Sequence, residues 1–282
     1  MVDTQTNKFL YSIPTTKAEI GFAGTVPATT PGCNIGGPNG VLVIPQLNQA
    51  YVSDGDSTMK VVDLGAKAVV AIIPLNGKCR GDEEAYDPID HIVMVASPND
   101  DPPFVTFIST DTQTVVGRYA YPSDQSAQKG AGLEQPAFDS FTKRFYIANP
   151  ANPTTKVTGT IDVFNPTTFL LEKTITTPCG GNGLVITPSH KAFISCGAVV
   201  DILAGSVITS IAAAGGDQIW YNVGDNLIYY GITGTGVVVD ADTNKFVVNL
   251  PSATGHTLAA DPNNNHIFAP VTGAGIKVFA AQ

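Results

Sequence analysis

Six polar side chains recur at one position of a repeated stretch of sequence, and their types are those of acid–base or metal chemistry. The clearest copy is Gly181–Pro188, which reads Gly-Asn-Gly-Leu-Val-Ile-Thr-Pro. Five related stretches close at Pro45, Pro88, Ser140, Val223 and Pro262. Six places before the closing residues stand Asn39, Asp82, Glu134, Asn182, Asp217 and His256. If the stretches are arranged in a circle, these side chains face one another.

Three carboxylates that converge on a narrow channel repel one another. The arrangement therefore favours a bound cation, a retained proton with a raised pKa, or a histidine partner. Histidine titrates near neutrality and can give or take a proton. We predict that His256, Glu134, Asp82 and Asp217 carry proton-transfer chemistry. The alternative is structural, because a water-filled channel needs hydrophilic residues at the start of its inner strands, and His256 is then a hydrogen-bonded structural histidine.

A second set of residues is predicted to bind an apolar, oxygenated small molecule, since ligand pockets combine apolar walls with a few convergent polar groups. Arg80, Glu83 and Glu84 border the start of the second repeat. The rings of Tyr86, Phe138 and Tyr221 share one strand position, where other repeats have aliphatic residues, so packing between repeats is the alternative for these rings. The predicted substrate-binding residues are Asn39, Asn182, Arg80, Glu84, Tyr86, Trp220 and Tyr221.

The elements that must position these residues are short strands. Runs of Val, Ile, Phe and Tyr are bounded by Gly, Pro, Asn and Asp, which is typical of an all-β fold. Each repeat has up to four such runs, and the repeats are spaced by about forty residues, as in a four-stranded propeller blade. Five repeats are complete, and the sixth ends after its third strand. We predict a single-domain six-bladed β-propeller over residues 1–282, in which Lys8–Ile13 adds the outer strand of the last blade and closes the ring.

Long connections gather on one face of the predicted propeller, where binding residues usually lie. The longest, residues 15–38, is predicted to lie over the channel as a lid. The cysteines fall on the same face, and we predict the disulfides Cys33–Cys79 and Cys179–Cys196. Two disulfides indicate an oxidising compartment, so the chain is expected to be secreted or in the secretory-pathway lumen, with the signal peptide absent from the sequence given. Four unpaired small apolar residues are the alternative.

The charge balance argues against several classes of partner. The net charge is −9, from 15 Lys and Arg against 24 Asp and Glu, without a basic cluster. Binding to nucleic acid or to an anionic membrane surface is therefore not expected. No uncharged apolar run reaches transmembrane length. Gly-X-Ser-X-Gly is absent, and Gly36, Gly37 and Gly40 precede no helix, which excludes a nucleophile elbow and a phosphate-binding loop.

Two repeats, at Gly40–Pro74 and Ala137–Thr176, read AYVS…MKVVDLGAKAVVAIIPL and FYIANP…GTIDVFNPTTFLLEKTI. This sequence pattern resembles the YVTN or surface-layer type of β-propeller repeat. The resemblance implies a β-propeller fold over nearly the whole chain. That family is similar in architecture to gluconolactonase-type enzymes, which hold a divalent metal with a Glu, two Asn and an Asp. The resemblance implies that Glu134, Asn182, Asn39 and Asp217 would be the ligands of a Ca²⁺ or Mg²⁺ ion. The leading expectation is nevertheless that no cofactor is bound.

In size, disulfide count, secreted character and lack of a known catalytic signature, the chain also resembles the fungal hetero-Diels–Alderases that join tropolone quinone methides to sesquiterpenes. With the polar ring, this resemblance implies a small-molecule enzyme of secondary metabolism that joins a reactive enone or quinone methide to an alkene in the channel. Two alternatives stay open. One is a metal-dependent lactonase or hydrolase, and the other is a secreted propeller that binds a ligand without turnover.

Overall fold

The computed structural model describes residues 1–13, 21–24, 26, 33–122, 133–150, 159–251, 255–271 and 273–280. The prediction of an all-β, six-bladed β-propeller is confirmed. Within these ranges the only helical element is a single 3-10 turn, Pro45–Leu47. The described residues contain no helix of the length and hydropathy needed to cross a membrane.

The chain divides into two compact units. One unit comprises Ser12–Thr174, and the other comprises Met1–Tyr11 with Ile175–Gln282. We call them the central unit and the terminal unit, and each is described by itself. The prediction of a single domain over residues 1–282 stays a prediction.

The central unit holds three blades, each a four-stranded antiparallel sheet in which sequential strands are neighbours. Blade 1 has the strands β3 Val41–Ile44, β4 Gln49–Asp54, β5 Thr58–Asp63 and β6 Ala68–Pro74. Blade 2 has β7 Glu84–Asp87, β8 Ile92–Ser97, β9 Phe104–Ser109 and β10 Thr114–Ala120. Blade 3 has β11 Pro136–Asp139, β12 Arg144–Asn149, β13 Thr160–Phe164 and β14 Leu171–Thr176, the last of which crosses the boundary between the units.

The terminal unit holds the other three blades and an N-terminal hairpin. Blade 4 has β15 Leu184–Ile186, β16 Lys191–Ile194, β17 Ala198–Asp201 and β18 Ser206–Ser210. Blade 5 has β19 Ile219–Asn222, β20 Leu227–Ile232, β21 Thr235–Asp240 and β22 Lys245–Pro251. Blade 6 has β23 Ala259–Asp261, β24 His266–Val271 and β25 Gly275–Phe279, and the hairpin is β1 Val2–Asp3 with β2 Lys8–Phe9.

The N-terminal strand differs from its prediction. Lys8–Ile13 was expected to complete blade 6, but among the described residues the sheet of blade 6 has three strands, and Lys8–Phe9 pairs with Val2–Asp3. The local hairpin forms because its strands are close in sequence, so closing its loop costs little entropy. Asp3 Oδ1 also accepts the backbone N–H groups of Gln5 and Thr6 in the turn. The hairpin contacts blade 6 through its turn, where Asn264 Nδ2 donates to the Thr4 carbonyl at 2.8 Å.

Short polar turns connect neighbouring strands within the blades. In blade 5, Asp240 Oδ1 accepts the N–H groups of Asp242 and Thr243, and Asn244 follows with a φ of 58°. Asparagine tolerates this left-handed conformation better than most residues, and aspartate commonly begins such turns. The same pairing of an Asp with an Asn of positive φ occurs at Asp261 and Asn265 in blade 6. These turns are short and polar, as the sequence predicts.

Aromatic packing joins blades 2 and 3. The ring of Phe107 is fully buried and lies with its centroid 6.1 Å from that of Phe145 and 6.0 Å from that of Phe164. Phe169 packs on the same ring at 5.2 Å. This cluster belongs to a large group of buried side chains in the central unit, which includes residues of the blade 2 sheet that Asp82 and Glu83 precede.

Both predicted disulfides are present. Cys33 is bonded to Cys79 in the central unit, and Cys179 to Cys196 in the terminal unit. The two bonds are compatible with an extracellular or secretory-pathway protein. Of the predicted lid at residues 15–38, residues 15–20, 25 and 27–32 lie outside the described residues. The described Phe22 is buried against blade 1, where the apolar face of Ala50, Val52, Val62 and Val69 covers it.

Replacing Phe107 with alanine tests whether the aromatic cluster holds blades 2 and 3 together. We expect Phe107→Ala to lower the free energy of unfolding by about 3–5 kcal/mol, because the lost ring leaves a cavity. Urea unfolding followed by tyrosine and tryptophan fluorescence measures the change. Val116→Ala, on the exposed face of the same sheet, is the control and should change stability by less than about 0.5 kcal/mol. Equal effects of the two substitutions would contradict the assignment.

Candidate functional site

The six polar residues of the repeated stretch hold equivalent places in the fold. Each lies just before the first strand of its blade: Asn39, Asp82, Glu134, Asn182, Asp217 and His256 precede β3, β7, β11, β15, β19 and β23. Inside the central unit β3 contacts β7 and β7 contacts β11, and inside the terminal unit β15 contacts β19 and β19 contacts β23. Polar residues of successive blades are therefore neighbours within each unit. The prediction that all six share one channel stays a prediction.

Backbone hydrogen bonds hold these residues to the second strand of their own blade. The N–H of Asn39 donates to the Ser53 carbonyl at 3.0 Å, and that of Asp82 donates to the Ala96 carbonyl at 2.8 Å. In blade 5 the N–H of Asp217 donates to the Gly231 carbonyl at 3.3 Å. The repeated bond continues the ladder beyond the first strand, so the polar side chains project from a fixed backbone.

In the central unit, Asp82 is the centre of a cluster that we call the acid group: Asn39, Arg80, Asp82, Glu83, Glu84 and Glu134. The Asp82 side chain is buried, with an exposure of 1%. One carboxylate oxygen accepts the Asn39 amide, and the other accepts Nη2 of Arg80 at 3.0 Å. A buried carboxylate is stable only when paired and hydrogen-bonded in this way. Asp82 therefore acts as the anchor for Arg80 and Asn39.

Glu83 and Glu84 hold their protons more firmly than ordinary glutamates. Burial raises the pKa of Glu83 well above its usual 4.5, and the neighbouring carboxylate of Asp82 raises it further, as do Glu134 and Glu84. Burial also raises the pKa of Glu84, against the hydrogen bonds from Ser53, which lower it. Burial and like charge both disfavour the ionised form. Within the acid group, the carboxyl groups of Glu83 and Glu84 thus favour the neutral state. Arg80 is its one positively charged residue.

Close packing beside Gly40 makes this arrangement possible. A Cβ atom at Gly40 would collide with the Asp82 carbonyl and with Oε2 of Glu84. The Gly40 N–H donates to Ser53 Oγ at 2.9 Å, and the Ser53 N–H donates to Glu84 Oε1 at 3.0 Å. Glu84 therefore lies in the interior of the unit, behind the first strand of blade 1. Its predicted contact with substrate stays a prediction.

A disulfide and a backbone hydrogen bond fix the position of Arg80. Cys79 is bonded to Cys33, and the Arg80 N–H donates to the Asn34 carbonyl at 2.9 Å. The backbone N–H groups of Lys78 and Cys79 donate to the Asp100 carboxylate. The disulfide and the Arg80 N–H thus tie the segment before blade 2 to the segment before blade 1, and Asp100 ties it to the loop between β8 and β9.

The terminal unit brings together the other three polar residues. Asn182 Nδ2 donates to Asp217 Oδ1 at 2.8 Å, and Asp217 Oδ2 lies 4.0 Å from Nε2 of His256. The His256 side chain is 64% exposed. A small cavity of about 190 Å³ adjoins it, lined by Gly255, His256, Thr257, Pro270 and Val271. Asn182 thus orients a carboxylate toward an accessible histidine, but at a distance longer than a hydrogen bond.

The predicted aromatic residues lie mainly in the packing between blades. Tyr86 packs on the buried cluster of blades 1 and 2, and Phe138 on that of blades 2 and 3. Tyr221 packs on the cluster of blades 4 and 5, and its hydroxyl donates to Asn226 at 3.0 Å. Trp220 is 39% exposed. The structure thus supports the packing alternative for the three rings, and their contact with substrate stays a prediction.

Metal ligands are not grouped in the part of the chain that the structure describes. No three side chains among its histidines, cysteines, aspartates and glutamates are placed to hold one ion. The predicted ligands Glu134, Asn182, Asp217 and Asn39 are divided between the two units. Metal binding by these residues stays a prediction.

Glu83 was named at the start of the second repeat as part of the predicted pocket, but it was not predicted as a proton-transfer residue. Its position corresponds to Gly40, Gln135, Gly183, Gln218 and Thr257 in the other blades, one place after the polar position on which the repeats were compared. The signal was the acidic run Asp82-Glu83-Glu84, because the same three places in each of the other blades hold at most one acidic residue. Three adjacent acidic residues that lead into an inner strand indicate a shared environment with perturbed pKa values.

Comparisons with known proteins show the fold alone. No protein-family model matches the chain, and no curated protein sequence matches it. Many solved structures share the architecture. A chain described as "Crystal Structure of Mitotic Checkpoint Complex" aligns over 86% of this chain and 73% of its own, with 10% identity and a TM-score of 0.68. The hydrazine synthase of Kuenenia stuttgartiensis aligns over 92% of this chain and 99% of its own, with 10% identity and a TM-score of 0.57.

The pH dependence of stability tests the protonated state of Glu83 and Glu84. Both groups bind their protons more tightly in the folded chain than in the unfolded chain, so the folded state holds more protons at pH values above 4.5. Their contribution to the free energy of unfolding is complete below pH 4.5 and is lost as the pH rises through the raised values. Each group adds a downward slope of at most about 1.4 kcal/mol per pH unit.

We therefore expect Glu83→Gln and Glu84→Gln each to flatten the fall in stability between pH 5 and pH 8, as measured by urea unfolding at fixed ionic strength. Glu172→Gln is the matched control. The carboxylate of Glu172 is exposed and paired with Arg144, which lowers its pKa. Its titration therefore changes stability below pH 5, outside the range measured. Unchanged slopes in both variants would show that the two carboxyl groups are ionised in the folded chain.

Proposed function

We propose that the chain is a small-molecule enzyme of secondary metabolism in which Glu83 supplies the proton that converts a hydroxyl group into departing water. The observation that supports this most directly is the acid group, where burial and the charge of Asp82 favour a neutral Glu83 carboxyl. A carboxyl group that keeps its proton near neutral pH is a general acid. Glu83 is half-buried as a residue.

The proposed reaction balances without a cofactor. Glu83 donates its proton to a hydroxyl on a carbon next to an enol or phenol ring, the C–O bond breaks, and water leaves. The ring O–H then loses its proton to the Glu83 carboxylate, which restores the acid and leaves a neutral enone or quinone methide. That species adds to an alkene, forming one C–C and one C–O bond with no atom lost. The last step needs positioning rather than proton transfer.

The surroundings of the acid group suit this chemistry. Asp82 is occupied by Asn39 and Arg80, so it holds the group in place while Glu83 exchanges the proton. Glu134 adds negative charge near Glu83 and helps to keep it neutral. A site shielded from bulk water also protects a reactive enone from hydration. The partner class proposed here is an apolar, oxygenated small molecule, and the compartment is the secretory pathway.

A second candidate function is ligand binding without turnover. A β-propeller fold is shared by enzymes and by proteins that only bind, so the fold does not choose between them. The exposed His256 with its small cavity in the terminal unit favours this candidate, because it offers a polar contact beside an apolar wall of Pro270 and Val271.

Substitution of the proposed acid tests the reaction. With a hydroxylated enol substrate and an alkene partner, Glu83→Gln should reduce product formation by about 100-fold or more, since general acids typically contribute 10² to 10⁴. Product yield and stereochemistry are measured by chromatography and mass spectrometry. Glu172→Gln is the control and should leave both unchanged.

Three outcomes of this experiment distinguish the candidates. Full activity in Glu83→Gln would refute the proposed acid. Retention of the substrate without product in the native protein would favour the binding candidate. Loss of activity in the native protein on treatment with a chelator, restored by Ca²⁺ or Mg²⁺, would favour a metal-dependent lactonase or hydrolase, with lactone opening as the reaction to assay.

A further inference from the structure

A gap separates an accessible histidine from a carboxylate in the terminal unit. Nε2 of His256 lies 4.0 Å from Oδ2 of Asp217, and the two side chains are 64% and 31% exposed. The exposed pair of His91 and Asp111 in the central unit differs, because its ring nitrogen and carboxylate oxygen lie 2.8 Å apart and are hydrogen-bonded directly. The gap beside His256 is too long for a direct hydrogen bond, but one ligand atom can lie about 2.8 Å from both groups.

Contacts within the terminal unit hold both residues beside the gap. Asn182 Nδ2 donates to Asp217 Oδ1 at 2.8 Å, while the other carboxylate oxygen, Oδ2, faces His256. The Asp217 N–H donates to the Gly231 carbonyl at 3.3 Å, and the His256 carbonyl accepts the Gln218 N–H at 3.2 Å. A Cβ atom at Gly231 would collide with the His256 carbonyl, so the two backbones are packed closely. The separation of the two side chains is therefore built on a fixed backbone.

The two groups across the gap differ in hydrogen-bonding character. The Asp217 carboxylate only accepts, and its charge favours a hydrogen atom on the facing Nε2 of His256, in the neutral or the protonated imidazole. An atom between them must therefore accept from the histidine and donate to the carboxylate. A hydroxyl oxygen does both. A carbonyl or carboxylate oxygen cannot donate, and an ammonium group cannot accept.

The cavity beside His256 limits the size of the rest of the ligand. Its volume is about 190 Å³, and its lining includes Pro270 and Val271. An apolar cavity of about 150 Å³ is large enough for one benzene molecule, so this volume suits a single six-membered ring. An apolar wall with one or two polar contacts is typical of a small-molecule site.

We infer that the terminal unit binds a neutral alcohol or phenol, with its hydroxyl oxygen between His256 Nε2 and Asp217 Oδ2 and its apolar ring against Pro270 and Val271. The inference rests on the second candidate function, ligand binding in the terminal unit, and does not require turnover at Glu83. The site selects hydroxyl compounds against ketones, carboxylates and amines. Asn182 is a positioning residue, because it acts through Asp217.

Phenol, toluene and benzoate are suitable probes, because they share a ring and differ in the group that it carries. Binding to the full chain is measured near pH 7 by titration of amide and imidazole chemical shifts. We expect phenol to bind at least about tenfold more tightly than either of the others, since the hydroxyl makes two hydrogen bonds, and to shift the signals of His256 and Val271. Equal binding of the three probes, no phenol binding, or phenol shifts confined to other residues would overturn the inference.

Asp217→Asn tests the acceptor, because asparagine has the same shape and can still accept the Asn182 bond, but it then turns its amide N–H groups toward His256. Loss of a hydrogen bond to a charged group should weaken phenol binding by about tenfold or more and leave toluene binding unchanged. Asp111→Asn, at the direct pair with His91, is the matched control and should change neither. Unchanged phenol binding in Asp217→Asn would refute the role of the carboxylate.

His256→Phe tests the donor and keeps a flat ring beside the cavity. The preference for phenol over toluene should fall by about three- to tenfold, because one of the two hydrogen bonds is lost. The matched control is His91→Phe, which should keep the full preference. A full preference in His256→Phe would contradict the role of Nε2.

Glu83→Gln separates this inference from the proposed acid. Glu83 lies in the central unit, so phenol binding should persist in the variant while turnover is lost. Retained turnover with retained phenol binding would refute the acid and leave the hydroxyl site standing. Turnover by a native chain that binds no phenol at His256 would refute the hydroxyl site and leave the acid standing. Loss of phenol binding in a folded Glu83→Gln chain would place the phenol at the acid group and overturn the inference.

Discussion

Contact between the first strands of successive blades is the constraint on which the candidate site depends. Within the central unit β3 lies against β7 and β7 against β11, so the residues that precede these strands have little room. Gly40 allows the approach because it has no side chain to collide with Asp82 and Glu84. Polar residues brought so near must share hydrogen bonds and protons. The chemistry of the acid group is therefore a consequence of how closely the blades pack.

The acid group has more carboxyl groups than positive charges to balance them. One arginine faces Asp82, while Glu83 and Glu84 are relieved of charge by keeping their protons. Retention of the proton and formation of an ion pair are alternative ways to lower the cost of burying acidic residues. Both occur in this cluster, so neighbouring carboxyl groups have different roles. Asp82 holds Arg80 and Asn39 in place, and Glu83 carries the proton that is proposed to be transferred.

Much of this architecture could be predicted from sequence, because its signals are local and repeated. Proline closes four of the six inner-strand stretches, and the polar residues such as Asp82 keep the same place before the strand. Both disulfides were predicted from the places that the repeats give to the four cysteines. The prediction that Lys8–Ile13 completes blade 6 was wrong, because Lys8–Phe9 pairs with Val2–Asp3 in a local hairpin. Glu83 was not identified as an acid because its raised pKa arises from burial and from residues of two blades, which no single repeat reveals.

The Cys33–Cys79 bond has a practical consequence for producing this protein. Cys79 directly precedes Arg80, and Cys33 directly precedes Asn34, whose carbonyl accepts the Arg80 N–H. Reduction of this bond removes the covalent link directly before the arginine, while the sheets of the blades remain paired by their own ladders. A sample made in a reducing cytoplasm would then look well folded by circular dichroism and yet have a heterogeneous acid group. Counting free thiols is therefore a better measure of sample quality for this chain than its secondary structure content.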